Sequence, residues 1–509
     1  MKERQALPRG QNIGRNTIFV FSSQAASTVS ALICLPFIVR LLGPERTGIL
    51  SLVWVIFGYF SILDLGLGPA VIKTVSESLR YGQETRIAPI FWSAQTAQLF
   101  LGAAGGFLLY MATPFLVQRL LHVPAGFYQE ARSSLILAAL AMPVVLLSSS
   151  AIGMLQAAQR FGITTAIQAP MAVLQYVLTL LCALWTPRLQ VVVAVLLATR
   201  FISLVLALIF VHRIFPRLAK TVSFNLGIFR GLLAFGGWIT VSSVISPLLV
   251  YVDRFLLGAL VSLSAITYYA VPMDAALKLV IIPSSLVVAL FPVFGGMDRN
   301  RDRTRLVYLL VRSAKILLIV VGIPAIILIV YARDLLGMWM GTKFAIEGGL
   351  CLQIVLVGTL CNSMARVPSA LLQGLGRPDI PSKIHLIELP LYILAAWFLI
   401  LNWGIPGAAV AWTLRMFGDM VALYIFAGRA LRISTRAIIS EKIPTIAALI
   451  GILGLSGIAI LHFLPQTAPK LLLGGVMLIA GYLLSSRFLK PEQILRRFLC
   501  GTTPDNLKP

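Results

Sequence analysis

Negative charge is scarce in this chain. Asp and Glu number 18 in 509 residues, against 42 Lys and Arg, and charged residues of both signs reach only 12%. A soluble protein of this length carries about a quarter charged residues and divides into domains joined by polar linkers. Here the polar stretches are short and hydrophobic residues make up 59%, which excludes a soluble globular protein. Cysteine is nearly as sparse. The five, at 34, 182, 351, 361 and 500, show no CxxC or metal-ligand spacing, so neither a disulfide framework nor a zinc site is implied.

Catalytic motifs are missing as well. There is no HExxH and no GxSxG, and the four histidines (122, 212, 385, 462) lie far apart in sequence. The nearest approach to a phosphate loop, Gly337 to Gly341-Thr342-Lys343, is one residue short and follows no strand. The chain therefore reads as a non-enzyme that needs no cofactor. Met1 to Arg15 is polar with four basic residues, and no short apolar region with a small-residue cleavage site follows. The first hydrophobic segment is expected to remain as a membrane span.

What is abundant is apolar sequence in runs of about 20 residues, the length that crosses a hydrocarbon core. Hydropathy gives fourteen spans, numbered in order: 17–40, 49–72, 88–112, 132–156, 164–186, 190–212, 233–252, 264–292, 307–332, 348–373, 382–401, 407–428, 444–463 and 470–488. The fold class is thus all-α integral membrane. The net charge of +24 would suggest nucleic acid in a soluble chain. In a membrane protein it reflects Lys and Arg gathered on the cytoplasmic side. Alternate loops hold 27 basic residues against 9, which places both termini in the cytoplasm.

A pattern recurs half a chain apart. Leu155-Gln156 followed by Arg160 returns as Leu372-Gln373 followed by Arg377, and Leu41-Leu42-Gly43 returns as Leu256-Leu257-Gly258. Residues 1–212 then form an N-terminal lobe of six spans, 213–231 a basic cytoplasmic connector, and 232–430 a second lobe of six. Residues 431–509 add spans 13 and 14 and a cytoplasmic tail. Six spans per half make parallel repeats, an architecture of transporters that open alternately to each side. Leu116 to Tyr128 is expected to lie as an outer amphipathic helix. Prolines at 36, 143, 170, 247, 272, 283 and 324 fall within spans, where each removes a helical hydrogen bond and favours a kink.

Ionisable residues within spans are costly in hydrocarbon and face a cavity or a partner. Asp274 and Lys278 stand four residues apart on one face of span 8, and Arg415 and Asp419 do the same in span 12. Asp64 falls in span 2, Arg200 near the middle of span 6, and Arg312 and Lys315 near the inner end of span 9. Arg366 and Glu388 lie toward the cytoplasmic ends of spans 10 and 11, and Asp253 ends span 7. The bland reading is that the spaced pairs neutralise each other, while Arg312, Lys315 and Arg366 snorkel to headgroups. Otherwise Arg200, Lys278, Arg312, Lys315, Arg366 and Arg415 leave a mildly cationic interior, suited to a phosphate-bearing substrate. Asp64, Asp274 and Asp419 are then candidates for coupling a proton or sodium ion. Aromatics such as Trp54, Tyr59, Phe60, Trp238, Tyr251, Tyr268 and Tyr269 serve either as belt and packing residues or as platforms for sugar faces.

Four motifs resemble those of bacterial polysaccharide-repeat flippases. They are Leu35-Pro36 through Arg40-Leu41-Leu42-Gly43-Pro44-Glu45, Asp64-Leu65-Gly66-Leu67-Gly68, Tyr251-Val252-Asp253-Arg254 running into Tyr268-Tyr269-Ala270, and Leu372-Gln373-Gly374-Leu375-Gly376-Arg377-Pro378. These flippases belong to the multidrug, oligosaccharidyl-lipid and polysaccharide exporter superfamily. The resemblance covers spans 1–12 and implies two six-helix lobes around a central cavity. It further implies a plasma-membrane protein that moves undecaprenyl-pyrophosphate-linked oligosaccharide to the outer leaflet, with membrane lipids and a polysaccharide polymerase as partners. The lipid II flippase branch is the weaker match, since its early Arg-Asp pair is absent and Gln24 stands in that region. A multidrug exporter of organic cations needs an anionic or apolar cavity, which the excess of Arg and Lys opposes. A scaffold for a polysaccharide synthase is the remaining, non-transport alternative.

Overall fold

A computed structural model describes residues 11–433 apart from 122, 220–223, 296 and 298–300, with isolated positions at 448, 451, 452, 476 and 483. Spans 13 and 14 and the tail thus lie outside the described residues. The helices are α1 (Gln11–Leu63), α2 (Leu67–Arg80), α3 (Ile87–Phe115), α4 (Tyr128–Ala157), α5 (Phe161–Trp185), α6 (Leu189–Ile214) and α7 (Leu226–Leu260). They continue as α8 (Leu263–Leu277), α9 (Ile281–Gly295), α10 (Arg303–Val320), α11 (Gly322–Val330), α12 (Ala332–Met340), α13 (Thr342–Gly374) and α14 (Asp379–Ala430). Among the described residues there is no strand, and nine helical segments are long and apolar enough to cross a membrane. This is a multi-pass membrane protein. Large apolar side chains such as Phe100, Phe107 and Leu108 on α3 stay exposed on its surface, as lipid contact requires.

Two helices are too long to be single spans, and each is broken at a glycine. In α1 the break is Gly43, with φ of 80°, followed by Pro44. In α14 it is Gly404, with φ of 58°, followed two residues later by Pro406. Glycine alone takes such angles without strain, and proline starts a helix well because its missing N–H is an orphan there anyway. The paired spans read from sequence on either side of 43 and 404 correspond to these halves.

Prolines account for two further interruptions. Lys278–Val280 is a 3-10 turn between α8 and α9, and Pro283 has no N–H to offer the Leu279 carbonyl. Helix α10 ends at Val320 for the same reason, one turn before Pro324. The expected amphipathic helix over 116–128 does not form as one piece. A π turn at Leu116–Leu120 and a 3-10 turn at Ala125–Phe127 take its place, because Pro124 is extended.

Packing divides the chain into Met1–Ala270 and Val271–Pro509. In the first unit, Leu67, Val71, Phe91, Ala94, Met154 and Leu155 form a buried cluster where α2, α3 and α4 meet. Helix α7 joins this unit, and Gly48 of α1 lies so close to the Leu263 carbonyl that any side chain would clash. The connector is tied down as well. Trp92 donates to the Leu218 carbonyl at 3.0 Å, and the Asn225 side chain caps α7 by accepting from Ile228 N at 3.1 Å. In the second unit, Phe294, Leu306, Leu310, Leu317, Val367 and Leu371 form the core around α9, α10 and α13.

Candidate functional site

The first feature of the site is a broken helix. Leu65 and Gly66 take left-handed φ angles of 48° and 69°, so the chain stops at Leu63 and restarts at Leu67. Asp64 sits in the gap, 7% exposed. Its carboxylate accepts from Gly68 N at 3.0 Å and from Gln98 Nε2 at 2.5 Å, with the Ser149 hydroxyl as a third donor. The charge thus lies at the N-terminus of α2, where backbone N–H groups and the helix dipole favour an anion. Span 2, expected to run through 72 without a stop, is a discontinuous helix because Asp64 offers its backbone a better partner than the next helical turn does.

Ser149 also faces a partly open cavity of about 390 Å³ between α4, α5 and α6. From α4 come Ser148 and Ser149, from α5 Gln168 and Gln175, and from α6 Thr199, Arg200 and Ser203. Val145, Ile152, Met171 and Ala172 complete the wall. Arg200 is its one charged lining residue, held by the Gln175 Oε1 acceptor at 3.4 Å. Sequence reasoning found Arg200 and missed the neutral groups. Their signal was present as three consecutive serines, Ser148 to Ser150, inside an otherwise apolar span.

The second unit holds a compact group of charges across the Gly404 break. Arg415 Nε lies 3.5 Å from Glu388 Oε2, and its guanidinium stands 5.3 Å from the centre of the Tyr392 ring. His385 Nε2 lies 3.6 Å from Asp419 Oδ1. The Arg415, Glu388 and Asp419 side chains are only 10%, 13% and 10% exposed. Ligand atoms of His385, Glu388 and Asp419 fall within 4.8 Å of one another, near enough to hold one cation. Sequence spacing disclosed only Arg415 and Asp419 as neighbours. It gave no sign of His385, which comes from the other side of a break that hydropathy does not register.

The remaining candidates are dispersed. Lys278 is exposed on the 3-10 turn below Asp274, which is half-buried. Arg312 is half-buried on α10, bonded to the Tyr308 hydroxyl and stacked 5.4 Å from that ring. Lys315 is half-buried one turn on, and Arg366 is exposed on α13. Trp54, considered above as a sugar platform, packs edge-on against Tyr176 with ring centres 6.0 Å apart.

Two polar contacts brace the first unit. Arg46 and Glu130 form a two-pronged ion pair at 2.7 and 2.8 Å, and Glu130 also accepts from Leu189 N at 3.4 Å. This fastens the start of α6 and the second half of α1 to the start of α4. Asp253 is fully buried, accepting from the Tyr269 hydroxyl at 2.5 Å and from Arg254 N at 2.8 Å. Its Tyr-x-Asp-Arg motif therefore has a packing role within the unit.

A family model described as "Polysaccharide biosynthesis protein" matches residues 13–298. The chain belongs to that family. Among curated relatives, the "Putative O-antigen transporter" of Shigella flexneri is 28% identical over 413 residues, covering 81% of this chain and 97% of the relative. Among solved structures, the lipid II flippase MurJ in an inward closed conformation superposes with a TM-score of 0.69 at 14% identity, covering 94% of this chain and 99% of that one. An inward-facing multidrug-resistance transporter of the MATE family, itself of the MOP superfamily, gives 0.67 at 14% identity over 81% and 96%. At these identities the structures establish a shared fold, and the family match makes this chain a membrane protein of the polysaccharide biosynthesis family.

Proposed function

We propose that this chain moves polyprenyl-pyrophosphate-linked oligosaccharide from the cytoplasmic to the outer leaflet of the plasma membrane by alternating access. The observation that carries the reading is the cavity of the first unit. Hydroxyl and amide groups with a single, exposed guanidinium line a partly open cavity between apolar helices, the lining expected for a sugar-bearing anion. Family membership and the Shigella relative's near full-length match support the same reading. The oligosaccharide and pyrophosphate pass through the protein while the polyprenyl tail stays in lipid. Lys278, Arg312, Lys315, Arg366 and Arg415 supply the attraction for phosphate oxygens, Arg200 meets the substrate from the cavity wall, and both termini face the cytoplasm. Asp64, Asp274 and Asp419 are the candidates for ion coupling, with spans 13 and 14 completing a set of fourteen.

An organic-cation exporter fits less well, since no Asp or Glu lines the cavity and Arg200 does. The test is a deletion strain. Loss of surface polysaccharide with lipid-linked oligosaccharide trapped inside, restored by this chain, supports the proposal. An unchanged polysaccharide with altered drug susceptibility refutes it. Lys278→Ala and Arg415→Ala test the cationic assignment separately: normal export by both single variants at normal protein level removes it.

A further inference from the structure

We infer that the cavity between α4, α5 and α6 is a subsite for one negatively charged sugar of the oligosaccharide, a uronic acid or another carboxylated sugar. The inference rests on the flippase reading and deepens it. Three features carry it: size, charge count and the chemistry of the neutral groups.

The volume of about 390 Å³ lies at the small end of ligand cavities, which run to about 1,000 Å³. It is large enough to admit one sugar residue. Among the described residues its charge inventory is a single guanidinium, with no carboxylate in the lining. A pyrophosphate carries more than one negative charge and is better met by several cations or a metal. One carboxylate matches one Arg, whose planar fork takes both oxygens in a bidentate pair. Gln175 holds Arg200 from one side at 3.4 Å, which limits its sweep through the cavity.

The neutral lining completes the match. Ser148 and Thr199 donate at 2.7 Å to the Val144 and Leu196 carbonyls of their own helices and keep oxygen lone pairs to accept, while Ser203 and the exposed Gln168 amide offer both roles. A sugar hydroxyl also both donates and accepts. Met171 and Ala172 give the apolar patch on which the C–H face of a pyranose ring rests. Ser149 adds a route of communication, because the same hydroxyl group that lines the cavity belongs to the donors of Asp64 at the helix break.

The test uses full-length protein in lipid nanodiscs and saturation-transfer NMR with free galacturonate, galactose and inorganic pyrophosphate. Galacturonate is expected to give signal at millimolar concentration, with galactose at least tenfold weaker. Arg200→Gln is expected to remove that difference, and Arg200→Lys to restore part of it. Ser203→Asp, which puts a carboxylate into the same cavity, is expected to abolish galacturonate binding in a protein whose thermal melt is unchanged. Equal binding of the two sugars, binding of neither, or galacturonate signal surviving Arg200→Gln would each overturn the inference. So would pyrophosphate displacing galacturonate at lower concentration than galacturonate itself requires. None of these results touches translocation, so a chain that flips a neutral lipid-linked oligosaccharide yet ignores uronate would lose this subsite and keep its proposed function.

Discussion

Gln159 and Gly376, 217 residues apart, end α4 and α13 in the same left-handed conformation, with φ of 56° and 75°. In each case the next residue closes the helix by donating five residues back: Arg160 N to the Leu155 carbonyl and Arg377 N to that of Leu372, both at 2.9 Å. The recurring Leu-Gln…Arg pattern is therefore one helix-ending device used twice. The two copies differ in cost. Glycine takes this angle freely, whereas glutamine is strained there.

Gln159→Gly is accordingly expected to stabilise the protein by about 1 kcal/mol, and Gly376→Ala to destabilise it by a similar amount. Reversible unfolding of the purified protein in detergent measures both. A destabilised Gln159→Gly or a stabilised Gly376→Ala would show that the two turns are not the same device.

Asp64 holds three donors at the broken helix, so removing it leaves Gln98 and Gly68 buried without an acceptor. Asp64→Ala is expected to cost roughly 2–4 kcal/mol, about 1–2 kcal/mol for each stranded donor. Asp64→Asn keeps an acceptor and permits the Gln98 amide to flip, so its fold should hold. Should Asp64 also couple an ion, the Asn variant stays folded and loses transport. A stable Asn variant with full transport would confine Asp64 to capping.

Arg46 and Glu130 are 26% and 18% exposed and meet through two parallel hydrogen bonds. Arg46→Ala is expected to cost about 1–3 kcal/mol, between the values for exposed and for buried pairs. Arg46→Lys should recover less than half of that loss, since an ammonium cannot reproduce the fork. Thermal melts of the two variants decide it, and a lysine variant as stable as the parent would contradict the geometric argument.

Arg415 is the neighbouring cation of Glu388, with Asp419 close by. Arg415→Ala therefore leaves two buried carboxylates crowded together and should cost about 3–5 kcal/mol. Adding Glu388→Gln should return much of that stability, giving a strongly non-additive cycle. Additive losses would mean that Glu388 and Arg415 do not act as a pair.

Much of the fold was legible because the membrane enforces length and composition: runs of about 20 apolar residues have few alternatives to helix. The doubled Leu-Gln…Arg pattern was legible too, since the same helix ending recurs at Leu155–Arg160 and Leu372–Arg377. Breaks were partly legible. Pro283 and Pro324 mark two of them, but the stop at Asp64 depends on partners from α3 and α4 that hydropathy does not contain. The charged positions were legible one at a time, since Arg200 and Arg415 are conspicuous in apolar sequence. Their surroundings were not. Gln175 and Ser203 gain meaning only when α4, α5 and α6 enclose a space, and His385 meets Asp419 only because α14 is interrupted at Gly404.

The most direct measurement of the central claim is leaflet exchange in vesicles reconstituted with this chain alone. Polyprenyl-pyrophosphate-linked oligosaccharide is incorporated in both leaflets, an ion gradient is applied, and a membrane-impermeant glycosidase digests what it reaches. The account predicts that the protected inner-leaflet half becomes digestible when the chain is present, and more slowly with Arg200→Gln. A protected fraction identical to that of protein-free vesicles, with and without the gradient, would contradict it.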